Sequence, residues 1–532
     1  MPPETDSVPT ASVEQPDLAA AASAVETAGS VVKEAFARLA DVDADQVVAY
    51  DLAHAAAAVE SARAVLDYGE RGGEEARIAC AFVADVVHDV ATRLMGREQE
   101  WGAEPGALDS ALAFAGPYRS PEFLSELCGV QGPRHLDEDF VMVQDTFRRF
   151  AEERIRPAAE EIHRNNEDIP EEIIEGLSEL GTFGVSIPEE YDGFAAEGEG
   201  EYLSMVAATE ELSRGSLGVG GSLVTRPEIL ARALLAGGTE EQKREWLPRM
   251  ASGELMVGIA VTEPDYGSDV ASLRTTATRD GDGWRINGVK TWCTFGARAD
   301  VYMLLARTDP DRSKGHKGLS LFIVPKERGS GHGFELSQPE GGSMEGSAID
   351  TIGYRGMHSY EVAFDNWYVP AENLIGGEEG LGRGFYMQMA GFENGRIQTA
   401  ARAVGVMQAA YEAAYDYASE RSVFGKPIVE FQLTRAKLAR MAVIIQASRQ
   451  FAYRVARLMA QGEGAMEASM VKAYVCRAAE WVTREAMQIH GGMGYAEEFP
   501  VSRYYVDARV LSIFEGADEV LALKVIARRL AG

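Results

Sequence analysis

Glu515 is the residue in this chain best placed by its neighbours to do acid–base chemistry. It follows the largely apolar run Val510–Phe514 and precedes Gly516. A carboxylate flanked by Ile513 and Phe514 is expected to be partly desolvated, which raises its pKa towards the range of a general base. A helix-capping acid is the competing reading, because a carboxylate ahead of a helix complements its dipole. Asp518 and Glu519 could fill that capping role as well. Gly516 suits a tight backbone approach. Beyond it the spacing predicts an amphipathic helix with Val520, Leu523, Val525 and Ile526 on its buried stripe.

No other chemistry-bearing cluster is visible. Cys80, Cys128, Cys293 and Cys476 are scattered with no CxxC pair, which fits a reducing compartment and excludes a cysteine-based metal site. The eight histidines form no HExxH pattern, so no metal is expected. The net charge of −32 argues against nucleic acid or an anionic membrane surface as partner. No apolar run reaches the roughly 18 residues of a transmembrane helix. The acidic, Pro-bearing start is unlike a signal peptide, and the chain reads as cytoplasmic.

The elements that must position Glu515 follow from periodicity. At 532 residues with 46% hydrophobic content, the chain is expected to divide into several cores. A disordered tail is expected over 1–17. A helical extension and linker is expected over 18–133, with long helices at Asp51–Glu70 and Glu74–Gly96 and a surface linker over Pro105–Pro133. That helix pair resembles Leu438–Met487 in pattern, as an internal repeat would. A helical domain is expected over 134–254, with helix starts at Pro170 and Thr239. A β domain over 255–375 is expected as an antiparallel barrel or sandwich, its Gly-rich stretch Arg328–Gly353 forming a long loop. A four-helix bundle is expected over 376–532. The fold class is thus α+β multidomain, with helices, then strands, then helices, behind an extra helical module.

That order and five motifs resemble the acyl-CoA dehydrogenase family of flavoproteins over roughly His135–Leu530. The resemblance implies FAD as cofactor, an acyl-CoA substrate and a homo-oligomer, dimer or tetramer, with FAD sites shared between chains. In AVTEPDYGSD (Ala260–Asp269) it places Val261 and Thr262 at the flavin edge and Ser268 near the thioester. In KTWCTFG (Lys290–Gly296) it packs Trp292 on the flavin and sets Thr294 near N5. In GFENGRIQTAARAVG (Gly391–Gly405) it assigns Arg396 to the CoA side and Glu393 to the adenine part. Some members carry their base one residue before that arginine; here the position is Gly395, which favours Glu515. In ERSVFGKPIVEFQ (Glu420–Gln432) it puts Arg421 and Phe424 on the FAD of a neighbouring subunit. Gln488, Gly491 and Gly492 of QIHGGMGY (Gln488–Tyr495) would lie along the adenosine portion of that same FAD. Around Glu515 the family reads F/Y-E-G-T, with Gly516 against the substrate; Ala517 replaces the threonine.

The resemblance implies α,β-dehydrogenation, with Glu515 as base and electron-transfer flavoprotein as electron acceptor. The extension, the insert Gly341–Asn366 and the GGSLVTRPEIL segment resemble members that convert (2S)-methylsuccinyl-CoA to mesaconyl-CoA in the ethylmalonyl-CoA route. A distal carboxylate requires a buried cation or several donors. Arg226 and His358 are the candidates carried forward, with Tyr354, Arg355 and Ser359 beside them in the insert. The alternatives are a dehydrogenase for butyryl- or isovaleryl-CoA and a non-catalytic FAD-binding scaffold. The extension is expected to cover a surface used for tetramer contacts, leaving a dimer.

Overall fold

The computed structural model describes residues 15–195 and 198–532. Most of the expected tail lies outside the described residues. Asp17 is within them and caps the first helix, its carboxylate accepting from the Ala20 N–H at 2.8 Å. The extension holds three long helices: α1 (Leu18–Arg38), α2 (Gln46–Gly69) and α3 (Gly73–Leu94). The stretch 105–133 is not a bare linker. It contains helices Asp109–Tyr118 and Pro121–Glu126, which bury Ala111, Ala115, Tyr118, Phe123 and Leu124. Ser120 caps the second of these and Pro121 opens it, so the proline starts a helix here.

Helix Gly384–Glu420 is the axis of the remainder. Helices Glu199–Gly215 and Thr225–Gly237 pack on it from the N-terminal side, and Gln432–Ala460, Ala465–His490 and Val501–Leu511 from the C-terminal side. Thr239 begins Glu240–Ala251 with a complete capping box through Gln242. The extension lies on the C-terminal bundle: α2 packs on Gln432–Ala460 and Ala465–His490, and α3 on Gln432–Ala460. The final helical segment is buried through Leu521, Ala522 and Ile526, while Val520, Leu523 and Val525 are half-buried. The expected stripe is shifted because α2 covers this segment from a second side.

Between the helical blocks runs a curled eight-stranded sheet: β1 (Val257–Ala260), β2 (Thr276–Asp280), β3 (Gly283–Thr294), β4 (Val301–Arg307), β5 (Leu319–Pro325), β6 (Gly333–Ser337), β7 (Ser343–Ile349) and β8 (Ser359–Pro370). Pairing is antiparallel except for β1 and β2 beside β4. β4 is buried along its whole length, which explains its unbroken apolar run. The Gly-rich stretch expected as a long loop instead contains the β6–β7 hairpin; the loop proper is 350–358. Among the described residues no helix is long and apolar enough to cross a membrane.

Candidate active site

Glu515 lies in the turn between helix Val501–Leu511 and the helical segment that starts at Asp518, with φ 54°. It does not cap that segment: the Asp518 N–H is taken by the Ser512 carbonyl at 3.1 Å. Gly516 follows at φ 96°, a left-handed conformation that glycine adopts without a Cβ penalty. Its carbonyl accepts from the buried Lys472 Nζ at 2.7 Å. Among the described residues the Glu515 backbone N–H donates to no group.

The Glu515 carboxylate is buried and points at helix Gly384–Glu420. Arg402 Nη2 donates to Oε1 at 2.8 Å, Thr399 Oγ1 to Oε2 at 2.9 Å, and Arg226 Nη1 stands 3.4 Å from Oε1. Gly395, Thr399 and Arg402 share one helix face, and a Cβ on Gly395 would come within 2.7 Å of Oε2. The second arm of Arg226 donates to the Tyr354 hydroxyl at 3.1 Å. The Arg402 guanidinium also lies 4.9 Å from the centre of the Phe514 ring.

This cluster overturns the expected pKa. Burial pushes the Glu515 carboxyl up, but Arg402 and Arg226 outweigh it and hold the group below the usual carboxylate range. Nearby Glu228 goes the other way: burial pushes it up to about 7 despite hydrogen bonds from Ser186 and Asn394.

The remaining sequence-derived candidates fall into separate places. Val261 is buried and Thr262 half-buried; Lys290 Nζ holds the Val261 carbonyl at 2.9 Å, and the Thr262 carbonyl accepts from the Thr291 N–H at 2.8 Å. Trp292 sits in a break of the β3–β8 register between Lys290 and Cys293, at φ 58°, and is 54% exposed. Such a bulge re-aims a side chain out of the sheet. Thr294 is buried, its hydroxyl 3.0 Å from that of Ser359. Loop 350–358 connects these two regions, from Tyr354 beside Arg226 to Met357 and His358, whose carbonyls accept from the Phe295 N–H at 3.0 and 2.8 Å. Ser268 is exposed; Glu393 and Arg396 are half-buried, and Arg396 Nη1 donates to Ser469 Oγ at 3.2 Å.

His358 does not join the Glu515 cluster. Its ring nitrogens face Asp168 Oδ1 at 2.8 Å and Asn166 Oδ1 at 3.2 Å. Arg355 is engaged with the Thr351 and His163 carbonyls. Arg421, Phe424, Gln488, Gly491 and Gly492 are all exposed on this chain, Phe424 at 98%. The sequence reasoning missed Arg402 and Thr399. Their spacing from Gly395 within a motif already singled out was the available signal, since it puts an arginine on the face that receives the base.

The arrangement fits a bound flavin. A large aromatic side chain is turned out of an otherwise buried strand end, and the adjoining turn's carbonyls are fixed by Lys290 and the Thr291 N–H. The Gly395–Glu515 contact makes a direct prediction. Gly395→Ala favours the helix by replacing glycine with a better helix former but pushes a methyl against Oε2. It should lower kcat at least about tenfold through misplacement of the carboxylate, with FAD content unchanged, as read by stopped-flow flavin bleaching.

The sequence matches three family models: the acyl-CoA dehydrogenase N-terminal domain over 137–254, the middle domain over 258–367 and the C-terminal domain over 382–531. It is 48% identical over 400 residues to (2S)-methylsuccinyl-CoA dehydrogenase of Cereibacter sphaeroides, covering 75% of this chain and 71% of that protein. The structure of butyryl-CoA dehydrogenase from Megasphaera elsdenii superposes with a TM-score of 0.68 at 32% identity, covering 75% of this chain and 100% of the other. That of a glutaryl-CoA dehydrogenase from Mycobacterium smegmatis in complex with FADH2 gives 0.65 at 28% identity, covering 74% and 95%. On these matches the chain belongs to the acyl-CoA dehydrogenase family and is an FAD-dependent oxidoreductase acting on acyl-CoA thioesters.

Proposed function

We propose that the enzyme dehydrogenates a short acyl-CoA whose acyl chain ends in a free carboxylate, with (2S)-methylsuccinyl-CoA as substrate and mesaconyl-CoA as product. One observation carries this reading: two buried guanidiniums, Arg226 and Arg402, converge on the single carboxylate of Glu515. One carboxylate leaves that pair with an excess positive charge in a buried place, which is costly without a further anion. Glu228 compensates only in part, because its pKa of about 7 leaves it half-protonated at neutral pH and mostly protonated below it. The similarity to the C. sphaeroides enzyme supports the same substrate.

In this reading Glu515 accepts the α proton. Its backbone N–H is available to hydrogen-bond the thioester carbonyl and stabilise developing enolate charge. Arg226 takes the distal carboxylate, with Tyr354 orienting its other arm. Neutralising the arginines on substrate binding relieves the charge that holds the Glu515 pKa down, so basicity rises when it is needed. Val261, Thr262, Trp292 and Thr294 would hold the isoalloxazine, with Ser268 and Gly516 at the thioester and Glu393 and Arg396 along CoA. FAD, when bound, accepts hydride from the β carbon. Arg421, Phe424, Gln488, Gly491 and Gly492 would serve the FAD of a second chain, and electron-transfer flavoprotein would reoxidise the enzyme.

The test is anaerobic mixing with methylsuccinyl-, butyryl- and isovaleryl-CoA, following flavin absorbance. Bleaching by methylsuccinyl-CoA at least an order of magnitude faster than by the others is expected; preference for a plain acyl-CoA sinks the carboxylate reading. The extension packs on the bundle helices, which supports a two-chain assembly. Native mass spectrometry should therefore give two chains, and a tetramer would exclude this arrangement.

A further inference from the structure

We propose that Tyr50 and His54, on α2 of the N-terminal extension, are positioning residues for the active-site turn. The inference rests on reading Glu515 as the base. The turn holds Glu515 in a left-handed backbone conformation, which a residue with a side chain keeps only when its surroundings enforce it. Four contacts do so. Ser512 Oγ donates to Glu480 Oε1 at 2.6 Å, Lys472 Nζ to the Gly516 carbonyl at 2.7 Å, and the Asp518 N–H to the Ser512 carbonyl at 3.1 Å. The fourth comes from outside the catalytic bundle: Asp518 Oδ2 accepts from Tyr50 Oη at 2.5 Å and faces His54 Nε2 at 3.1 Å.

The Tyr50–His54–Asp518 group is built as a unit. His54 and Asp518 are buried, and the two rings of α2 meet edge to face with centroids 4.5 Å apart. Burial holds the His54 imidazole below its usual pKa, so a neutral ring can donate from Nε2 to a charged carboxylate. Burial raises the Asp518 carboxyl, but the hydrogen bonds from His54 and Tyr50 keep it ionised and below its usual range. A charge-assisted pair of this kind in a buried site is worth more than an exposed one. The other visible link, Asp43 to Lys524 and Arg528, joins half-exposed side chains and contributes little. The extension therefore does more than cover the bundle. It fastens the residue three positions after the base, at the first turn of the segment that anchors Glu515.

The test uses full-length holoenzyme and whichever of methylsuccinyl-CoA and butyryl-CoA bleaches the flavin. Tyr50→Phe/His54→Ala should slow single-turnover bleaching at least about tenfold, because small displacements of a reacting group are costly, with KM within about twofold of wild type and full FAD content. His54→Gln, whose amide can still donate to Asp518, should restore most of the rate in an otherwise wild-type background. Asp43→Ala should react at the wild-type rate. Wild-type bleaching in the double variant overturns the proposal, and so does an equal loss in Asp43→Ala, which would trace the effect to loosening of the whole extension. If the double variant does not retain FAD, Tyr50→Phe alone is judged by the same criteria. Glu515→Gln is run in parallel: only if it retains more than a tenth of the wild-type rate does the base assignment itself fail.

Discussion

Glu515→Gln should lose about three to four orders of magnitude in the rate of flavin bleaching, the upper range for removing a general base. Glutamine keeps the volume and can still accept from Arg402, so the turn and FAD content should remain as in the wild type. A variant that retains more than a tenth of the rate would mean that another group takes the α proton. The pH profile adds a second readout. In the free enzyme Arg402 and Arg226 hold the carboxyl below its usual range. The acid limb of kcat/KM, which reports the free enzyme, should therefore lie below the ordinary carboxylate region near 4.5. If the substrate carboxylate takes up the arginine charge, the Glu515 pKa rises in the complex. The acid limb of kcat should then lie at higher pH than that of kcat/KM. Coincident limbs would argue that substrate binding leaves the arginine–Glu515 contacts intact.

Arg226→Met should raise KM for methylsuccinyl-CoA by about 10²- to 10³·⁵-fold, corresponding to the roughly 3–5 kcal/mol lost when one partner of a buried ion pair is removed. Turnover of butyryl-CoA should change less than about threefold, because that substrate brings no second carboxylate to the cluster. Arg226 is the informative choice of the two arginines. Arg402 is fully buried and donates to Glu515, Thr399 and Ser222, so its removal disturbs the base and the anion site together. Steady-state kinetics with both substrates decide the matter. An equal loss on both would move Arg226 from anion recognition to support of Glu515.

Much of the architecture is legible in local pattern. The Ala-rich helical periods of α2 and α3, the Thr239 cap and the alternation along β8 each depend on neighbours within a few residues, and each element formed where expected. The misses lie where a local signal admits two outcomes. The Gly- and Pro-bearing stretch 105–133 read as linker, yet Pro121 opens a helix and its aromatic neighbours found a surface to bury against. The Gly-rich stretch after Arg328 read as loop, yet pairing of β7 with β8 drew it into the sheet.

By itself, then, the sequence determined most of the elements, their order, the family and the choice of Glu515, a carboxylate that follows an apolar run and precedes a glycine. Only the tertiary structure decided what surrounds that carboxylate. Ile513 and Phe514 foretold a raised pKa, but Arg402 and Arg226 arrive from 113 and 289 residues away and reverse its sign. Asp518, read locally as a possible cap, is claimed instead by Tyr50 and His54 from 468 and 464 residues away. The physical reason is the same in both cases. Secondary structure is set by short-range periodicity, whereas the charge state of a buried group is set by whichever side chains the packed fold brings within a few ångströms of it.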